Sequence, residues 1–185
     1  MRCYSNKFVH DIHFDKIRYQ KFLRDQGLSE YDIKHLNIHL ITDFTRLHFK
    51  GNVKLEEGGA YFQRDKENVE KMNEIALGLY RPYDPPTSEH AAIFLRPEKY
   101  KTPVHLMDPI FLNRTLLHET RHHMQHCLEL PCRKPVHAPV ESELPNERNQ
   151  PWEIDAEKFA SAYVNQVSFF LPVSRPLKRS DLQNL

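Results

Sequence analysis

The feature that most constrains this chain is the segment between Pro109 and Pro131, which has the pattern of one long helix and carries several histidines. Asp108 is a suitable N-cap and Pro109 a suitable first helical residue, because proline at that position loses no intrahelical hydrogen bond. We therefore predict a helix from Pro109 to about Leu130. Apolar residues at helical spacing are expected to form its buried side, namely Leu112, Leu116, Leu117, Met124 and Leu128.

The middle of this predicted helix contains the motif His118-Glu119-x-x-His122. Residues four apart lie on the same face of a helix, so two imidazoles can bind one zinc ion while Glu119 lies beside them as a proton acceptor. The chain has 12 histidines, and two of them at this spacing do not complete a catalytic zinc site, which usually has three protein ligands. The hypothesis therefore requires a third ligand elsewhere in the chain.

A second predicted helix, beginning at Pro151, offers that ligand. Glu153 and Glu157 are four residues apart and share one face, while Ala156 and Ala160 leave room for a neighbouring helix to approach closely. Glu153 is predicted to bind the metal. Glu157, one turn further on, is predicted to accept the free ring N–H of a ligating histidine and so to fix its tautomer.

The combined pattern, His118-Glu119-x-x-His122 followed by Glu153-x-x-x-Glu157, resembles the gluzincin zinc metallopeptidases, and in particular the small intracellular minigluzincins. The resemblance covers residues 91–170. It implies an α+β fold that is mainly helical, in which a small β-sheet packs on the HExxH helix and on a following glutamate helix. It also implies an edge strand near the cleft that can hold an extended substrate, and we expect residues 91–95 to form that strand.

The activity that the resemblance implies is zinc-dependent hydrolysis of a protein or peptide substrate, with a restricted intracellular target as a hypothesis. His118, His122 and Glu153 would hold Zn²⁺, and Glu119 would take a proton from water and pass it to the leaving amine. Gluzincins often use a further group to stabilise the oxyanion. The sequence does not select among the candidates Tyr163, His137 and Arg148.

The chain length favours a single domain, and the resemblance implies that it is a zincin-like catalytic domain over residues 1–170, with N-terminal helices and a hairpin in 1–90 and the metal-binding core in 91–170. Residues 171–185 are expected to form a C-terminal tail. Within the first part we predict a helix at 15–25, a helix capped by Ser29 that runs to Gly51, a hairpin at 52–63 and a helix at 65–79. The pattern of the glutamate helix continues as far as Phe170.

Two other interpretations of the histidine cluster stay open. A closed structural zinc site can be drawn from four residues, and it would make the protein a non-catalytic binding or regulatory module: His122, His126, Cys127 and Cys132. Alternatively, the helix is rich in histidine but binds no metal. The structural site leaves Glu119 and the Glu153/Glu157 pair without a role, whereas the catalytic site uses them all.

The overall charge does not identify a partner. The formal net charge is +1, so the sequence gives no support for nucleic-acid binding, and it does not predict an oligomeric state. The first ten residues lack the apolar run of a signal peptide, and no segment has the roughly 20 apolar residues that span a membrane. Three cysteines in a chain of this size argue against a disulfide framework, so we expect a cytoplasmic protein.

Overall fold

The computed structural model describes residues 1–5, 12–40, 78–81, 90–95, 109–133 and 149–172. In chain order the elements are β1 (Arg2–Ser5), β2 (Ile12–Phe14), α1 (Lys16–Asp25), α2 (Glu30–Lys34), β3 (Leu36–Leu40), β4 (Gly78–Arg81), β5 (Ala91–Leu95), α3 (Pro109–Cys127), α4 (Pro151–Tyr163) and β6 (Phe170–Pro172). This mixture of helices and short strands confirms the α+β class. None of the described helices has the length and apolar character needed to cross a membrane.

Four strands form a mixed sheet in the order β1-β3-β5-β4. β1 and β5 both pair with β3 in parallel, and β4 pairs with β5 in the antiparallel sense, with Gly78 opposite Leu95 and Arg81 opposite Ala92. A separate antiparallel pair joins β2 to β6. Helix α3 packs against α4 on one side and against β4 and β5 on the other, so it lies between the sheet and the glutamate helix.

The predicted strand at 91–95 is confirmed as β5, but its expected place at the edge of the sheet is wrong. β5 lies between β3 and β4, and all five of its residues are buried, as a strand covered on both faces requires. Among the described strands, β4 and not β5 is the edge strand that lies next to α3. Its first two residues, Gly78 and Leu79, fall in the predicted helix 65–79, so that prediction is wrong at its end, and residues 65–77 lie outside the described residues.

Two helix starts in the N-terminal part are confirmed. Asp15 caps α1 by accepting a hydrogen bond from the Arg18 backbone N–H at 3.0 Å. Ser29 and Asp32 form a capping box at the start of α2. The Ser29 cap is predicted from the sequence because its signal depends on a residue three positions away, whereas the α1 helix is predicted without its cap.

The predicted long helix after Ser29 is wrong beyond Lys34. Residues 36–40 form β3, whose side chains alternate between buried and half-buried positions. Leu36, Ile38 and Leu40 enter the core with a period of two, and pairing with strands on both sides outweighs the helical spacing of Leu36 and Leu40. Residues 41–77 lie outside the described residues, and with them the predicted hairpin at 52–63.

Helices α3 and α4 begin at the predicted prolines but end earlier than expected. α3 ends at Cys127, and Leu128 is 36% exposed, so Leu128 does not belong to the buried side as predicted. α4 ends at Tyr163, and Phe170 belongs to β6, where it pairs with Phe14. The chain turns back after α4 because buried Asn113 holds it: the Asn113 side chain donates to the Val167 carbonyl at 2.6 Å and accepts from the Phe169 N–H at 3.1 Å.

β6 includes the first two residues of the predicted tail, Leu171 and Pro172. Residues 173–185 lie outside the described residues. A cluster of aromatic rings at β6 joins the N-terminal part of the chain to the C-terminal part. Its members are Phe14, Tyr19, Phe22, Phe169 and Phe170. The Tyr19 hydroxyl lies 2.6 Å from Thr120 Oγ1, so α1 is also tied to the buried side of α3.

Candidate metal centre

The two histidines of the motif meet on one face of α3. Their Nε2 atoms lie 3.1 Å apart, and their ring centroids are 4.8 Å apart with nearly perpendicular planes. The side chains of His118 and His122 are 21% and 13% exposed. The rings are therefore largely surrounded by protein but keep a small part of their surface exposed to solvent.

The predicted third ligand reaches the same point from α4. Glu153 Oε2 lies 3.1 Å from His118 Nε2, and Glu153 Oε1 lies 3.3 Å from His122 Nε2. Among the described residues, His118, His122 and Glu153 form the one group of at least three His, Cys, Asp or Glu side chains arranged to hold a metal ion. The structure thus brings together residues that are 35 positions apart in the sequence.

The electrostatics of this cluster favour an ionised carboxylate. Burial alone would raise the pKa of Glu153, but its contacts with the imidazoles of His118 and His122 outweigh burial and lower that pKa to about 2. For His122, burial lowers the pKa, yet contacts with Glu153 and Glu119 leave it raised. A permanently negative carboxylate beside two imidazoles is the charge arrangement that a divalent cation requires.

Glu119 is buried next to the ligand group, with 8% of its surface exposed. Burial raises the pKa of its carboxyl, and this effect exceeds the opposing influence of His122 and His118. The backbone N–H of Tyr80, on β4, donates a hydrogen bond to the Glu119 carboxylate. Strand β4 therefore positions the carboxylate that the motif identifies as the proton acceptor.

Gly78 explains how β4 comes so close to α3. A Cβ at this position would lie 2.6 Å from Thr115 Cγ2 and 2.8 Å from Glu119 Oε1. No side chain fits there without displacement of its neighbours. The absence of a side chain at residue 78 is therefore a condition for the contact between β4 and the candidate base.

Glu157 lies beside His118 but at a longer distance than predicted. Its Oε2 is 3.7 Å from His118 Nδ1, which is an ion-pair distance longer than a hydrogen bond. The same carboxylate forms an ion pair with Arg114 on α3, and its side chain is half exposed. The Ser161 hydroxyl also donates to it at 3.5 Å, so Glu157 has three described neighbours and its role in orienting a histidine stays a prediction.

A polar network that the sequence analysis missed supports the other histidine. Gln125 Oε1 lies 3.0 Å from His122 Nδ1, and Gln125 Nε2 donates to the Trp152 carbonyl and to Asp155, each at 2.9 Å. Arg121 donates two hydrogen bonds to Asp155, at 2.7 and 3.1 Å. Gln125 is three residues after His122, and this spacing was the available signal, since such residues are neighbours on a helix.

The four residues of the alternative closed zinc site do not come together. His122 belongs to the cluster with His118, whereas Cys127 Sγ lies 3.6 Å from both ring nitrogens of His123. The Cys132 thiol forms a hydrogen bond with Asp155. Burial raises the pKa of Cys127 to about 12, which opposes the thiolate form that binds zinc. His126 packs on the ring of Tyr80, with centroids 5.6 Å apart.

His123 occupies a buried polar position on the side of α3 that faces β4. It is 2% exposed, and its Nδ1 lies 3.2 Å from the Tyr80 hydroxyl. Burial lowers the pKa of His123 to about 4, and a hydrogen bond to the Asp32 backbone only partly opposes this effect. His123 is therefore neutral at pH 7 and joins α3 to β4 and α2.

Of the three candidates for oxyanion stabilisation, only Tyr163 is among the described residues. Its ring packs against Phe159 and Phe22, with centroids 4.8 and 5.3 Å apart, at the opposite end of α4 from Glu153. This position in an aromatic cluster gives Tyr163 a packing role. His137 and Arg148 lie outside the described residues.

Comparison of the chain with known protein families, with characterised proteins and with solved structures gives no match.

Proposed function

We propose that this protein is a zinc-dependent metallopeptidase in which His118, His122 and Glu153 are the metal ligands and Glu119 is the general base. The observation that carries the proposal is the convergence of three side chains from two separate helices, whose nearest nitrogen and oxygen atoms lie 3.1, 3.1 and 3.3 Å apart. Ligand distances near 2.0–2.1 Å and tetrahedral angles place zinc-bound atoms roughly 3.3 Å apart. The donor set therefore fits zinc in both chemistry and spacing.

Zinc, when bound, acts as a Lewis acid that polarises the substrate carbonyl and makes a water molecule more acidic. Glu119 accepts the proton that this water loses as it attacks the carbonyl carbon, and then donates it to the nitrogen of the breaking peptide bond. The raised pKa of the buried Glu119 carboxyl suits both steps, because the group must hold a proton between them. The Tyr80 N–H keeps the carboxylate aimed into the site.

The arrangement of β4, α3 and α4 supports a minigluzincin-like fold for the catalytic core. The sheet lies on one side of the helix with the HExxH motif, and the glutamate helix lies on the other. Under this proposal the strand nearest the cleft is β4, not β5. The substrate is a protein or peptide. The three cysteines favour a reducing compartment, and restriction to one target is a hypothesis that the digestion experiment below tests.

The test is Glu119→Gln, which keeps the size of the side chain and removes its basicity. We expect this variant to bind one zinc ion per chain and to unfold at the same denaturant concentration as the wild type. Its cleavage of a mixed peptide library, followed by mass spectrometry, should fall by about 10²–10⁴-fold. Glu129→Gln is the matched control, because Glu129 is exposed just beyond the end of α3 and its replacement should leave cleavage unchanged.

Undiminished cleavage by Glu119→Gln would refute the assignment of the base. A zinc-loaded wild type that cleaves neither a peptide of the library nor any protein of a cell extract would refute the peptidase activity. Rapid digestion of unfolded proteins at many sites would support peptide hydrolysis but count against a single restricted target.

A further inference from the structure

We infer that Gln125 is a positioning residue for the candidate metal centre: its side-chain oxygen holds the hydrogen of His122 on Nδ1, so that Nε2 presents its lone pair to the metal position. The metal-binding consequence of this inference rests on the proposed function. The tautomer of His122 does not, because contacts within the metal-free protein set it: the Gln125 oxygen draws the hydrogen to Nδ1, the Glu153 carboxylate 3.3 Å from Nε2 draws it the other way, and the buried amide decides between them.

Gln125 is almost completely buried, with 1% of its surface exposed, and its amide makes three contacts. Its Nε2 atom lies 2.9 Å from the Trp152 carbonyl oxygen and 2.9 Å from Asp155 Oδ2. Its Oε1 atom lies 3.0 Å from His122 Nδ1. Both ends of the amide are thus in use, one toward α4 and one toward the imidazole.

The chemistry of the partners determines the orientation of the amide. A backbone carbonyl can only accept a hydrogen bond, and an ionised carboxylate is also only an acceptor. Asp155 also accepts two hydrogen bonds from Arg121, at 2.7 and 3.1 Å, so its carboxylate oxygens act as acceptors in this network. The end of the amide that faces Trp152 and Asp155 must therefore be the NH₂ group, and the oxygen must face His122.

The tautomer of His122 follows from this orientation. Because the Gln125 oxygen is an acceptor, His122 Nδ1 must carry the hydrogen that it receives. Neutral His122 then has its lone pair on Nε2, the atom that lies 3.1 Å from His118 Nε2 and 3.3 Å from Glu153 Oε1. A lone pair that faces a carboxylate oxygen at this distance is favourable when a cation lies between them.

The opposite tautomer would require the Gln125 amide to turn over. Its oxygen would then face the Trp152 carbonyl and the Asp155 carboxylate, so two buried hydrogen bonds would be replaced by two contacts between acceptors. Asp155 cannot move away easily, since Arg121 holds it with two hydrogen bonds while its guanidinium lies 5.1 Å from the centre of the Phe159 ring. The network therefore favours the Nδ1–H tautomer strongly.

Gln125 also connects the two helices that supply the ligands. Its oxygen orients a ligand on α3, and its nitrogen binds the backbone of Trp152, the residue before Glu153 on α4. One buried amide thus sets both the direction of the imidazole and the position of the helix that carries the carboxylate. Loss of such an outer partner typically weakens metal binding by about 10–100-fold.

The direct test is the tautomer of His122 in the metal-free protein, read from long-range ¹H–¹⁵N NMR spectra of the ring nitrogens. Spectra are recorded well above the ordinary histidine pKa of about 6.5, so that the neutral ring is observed. We expect the Nδ1–H tautomer in the wild type and a shift toward Nε2–H in Gln125→Met.

The second readout is the dissociation constant for zinc, measured by competition with a chelator. Gln125→Met should bind zinc about 10–100-fold more weakly than the wild type. Gln166→Met is the matched control. The Gln166 side chain is exposed, and among the described contacts it donates only to the Ala162 carbonyl, so this variant should leave both readouts unchanged.

An Nε2–H tautomer in the wild type would overturn the inference, and so would an unchanged tautomer and zinc affinity in Gln125→Met. If that variant does not fold, the wild-type spectrum alone decides the question. A wild-type protein that shows the Nδ1–H tautomer but binds no zinc would support the network and contradict the proposed function, so the two failures are distinguishable.

Discussion

Replacing Gly78 by alanine is the perturbation that most specifically probes the contact between β4 and Glu119. The new methyl group would lie 2.6 Å from Thr115 Cγ2, 2.8 Å from Glu119 Oε1 and 3.0 Å from Glu119 Cγ. Ordinary contacts between such atoms begin near 3.4 Å, so the neighbours must move by several tenths of an ångström. They belong to a helix packed between the sheet and α4, which leaves little room for that movement.

The expected cost in stability is that of overpacking a dense interior. Extra methyl groups in such positions destabilise proteins by about 1–3 kcal/mol. The cost in activity should be larger, because the methyl group acts on the carboxylate that accepts the proton. A displacement of about 1 Å at a reacting group can reduce the rate by roughly 10²-fold.

Urea unfolding of the metal-free protein and peptide cleavage by the zinc-loaded protein measure the two effects separately. The matched control is the double variant Gly78→Ala/Thr115→Ser, which removes the Thr115 methyl group and keeps a hydroxyl for its bond to the Phe111 carbonyl. We expect the double variant to recover part of the stability but little of the activity, because the contact with Glu119 remains. A Gly78→Ala protein with wild-type stability and cleavage would refute the close approach of β4 to the base.

Two further predictions concern buried polar groups. Asn113→Ala leaves the Val167 carbonyl and the Phe169 N–H without their side-chain partner, so the free energy of unfolding should fall by about 2–4 kcal/mol. The control Asn165→Ala, at an exposed position, should change it by less than about 0.5 kcal/mol. Equal effects of the two substitutions would contradict the role of Asn113. Burial lowers the pKa of His123 from 6.5 in the unfolded chain to about 4 in the folded protein, so the unfolded chain binds more protons between these pH values. The stability that His123 contributes is therefore complete above pH 6.5 and is lost as the pH falls to about 4. In His123→Gln the acid-induced loss of unfolding free energy should be smaller by up to about 3 kcal/mol in urea titrations of the metal-free protein, and an identical pH dependence would show that His123 is not held neutral.

The parts of the fold that the sequence predicts well are those that depend on neighbouring residues. The cap at Ser29 and the prolines at 109 and 151 mark helix starts, because capping and the missing proline N–H act within one turn. The motif histidines likewise come together through the geometry of a single helix.

The errors arise where contacts distant in sequence decide the outcome. Leu36 and Leu40 are four residues apart, which fits a helix as well as a strand, and only the pairing of β3 with β1 and β5 selects the strand. The central position of β5 depends in the same way on Gly78–Arg81, which pairs beside it. Local periodicity does not contain this information.

The same distinction holds within the candidate site. Glu153 can be anticipated from its pattern with Glu157, but the contact of Tyr80 with Glu119 joins residues on a strand and a helix that no short motif connects. Gln125 is visible as a neighbour of His122, yet its role becomes apparent only when Trp152 and Asp155 occupy its other end. Supporting residues of this kind can be identified only from the tertiary structure.

The zinc content of the purified protein, compared between wild type and Glu153→Ala after dialysis, tests the central claim most directly. Because Glu153 must bind the same ion as His118 and His122, elemental analysis should find one zinc ion per wild-type chain and a large loss in the variant. A wild-type protein without zinc, or a Glu153→Ala variant that retains one ion per chain with unchanged affinity, would contradict the proposed metal centre.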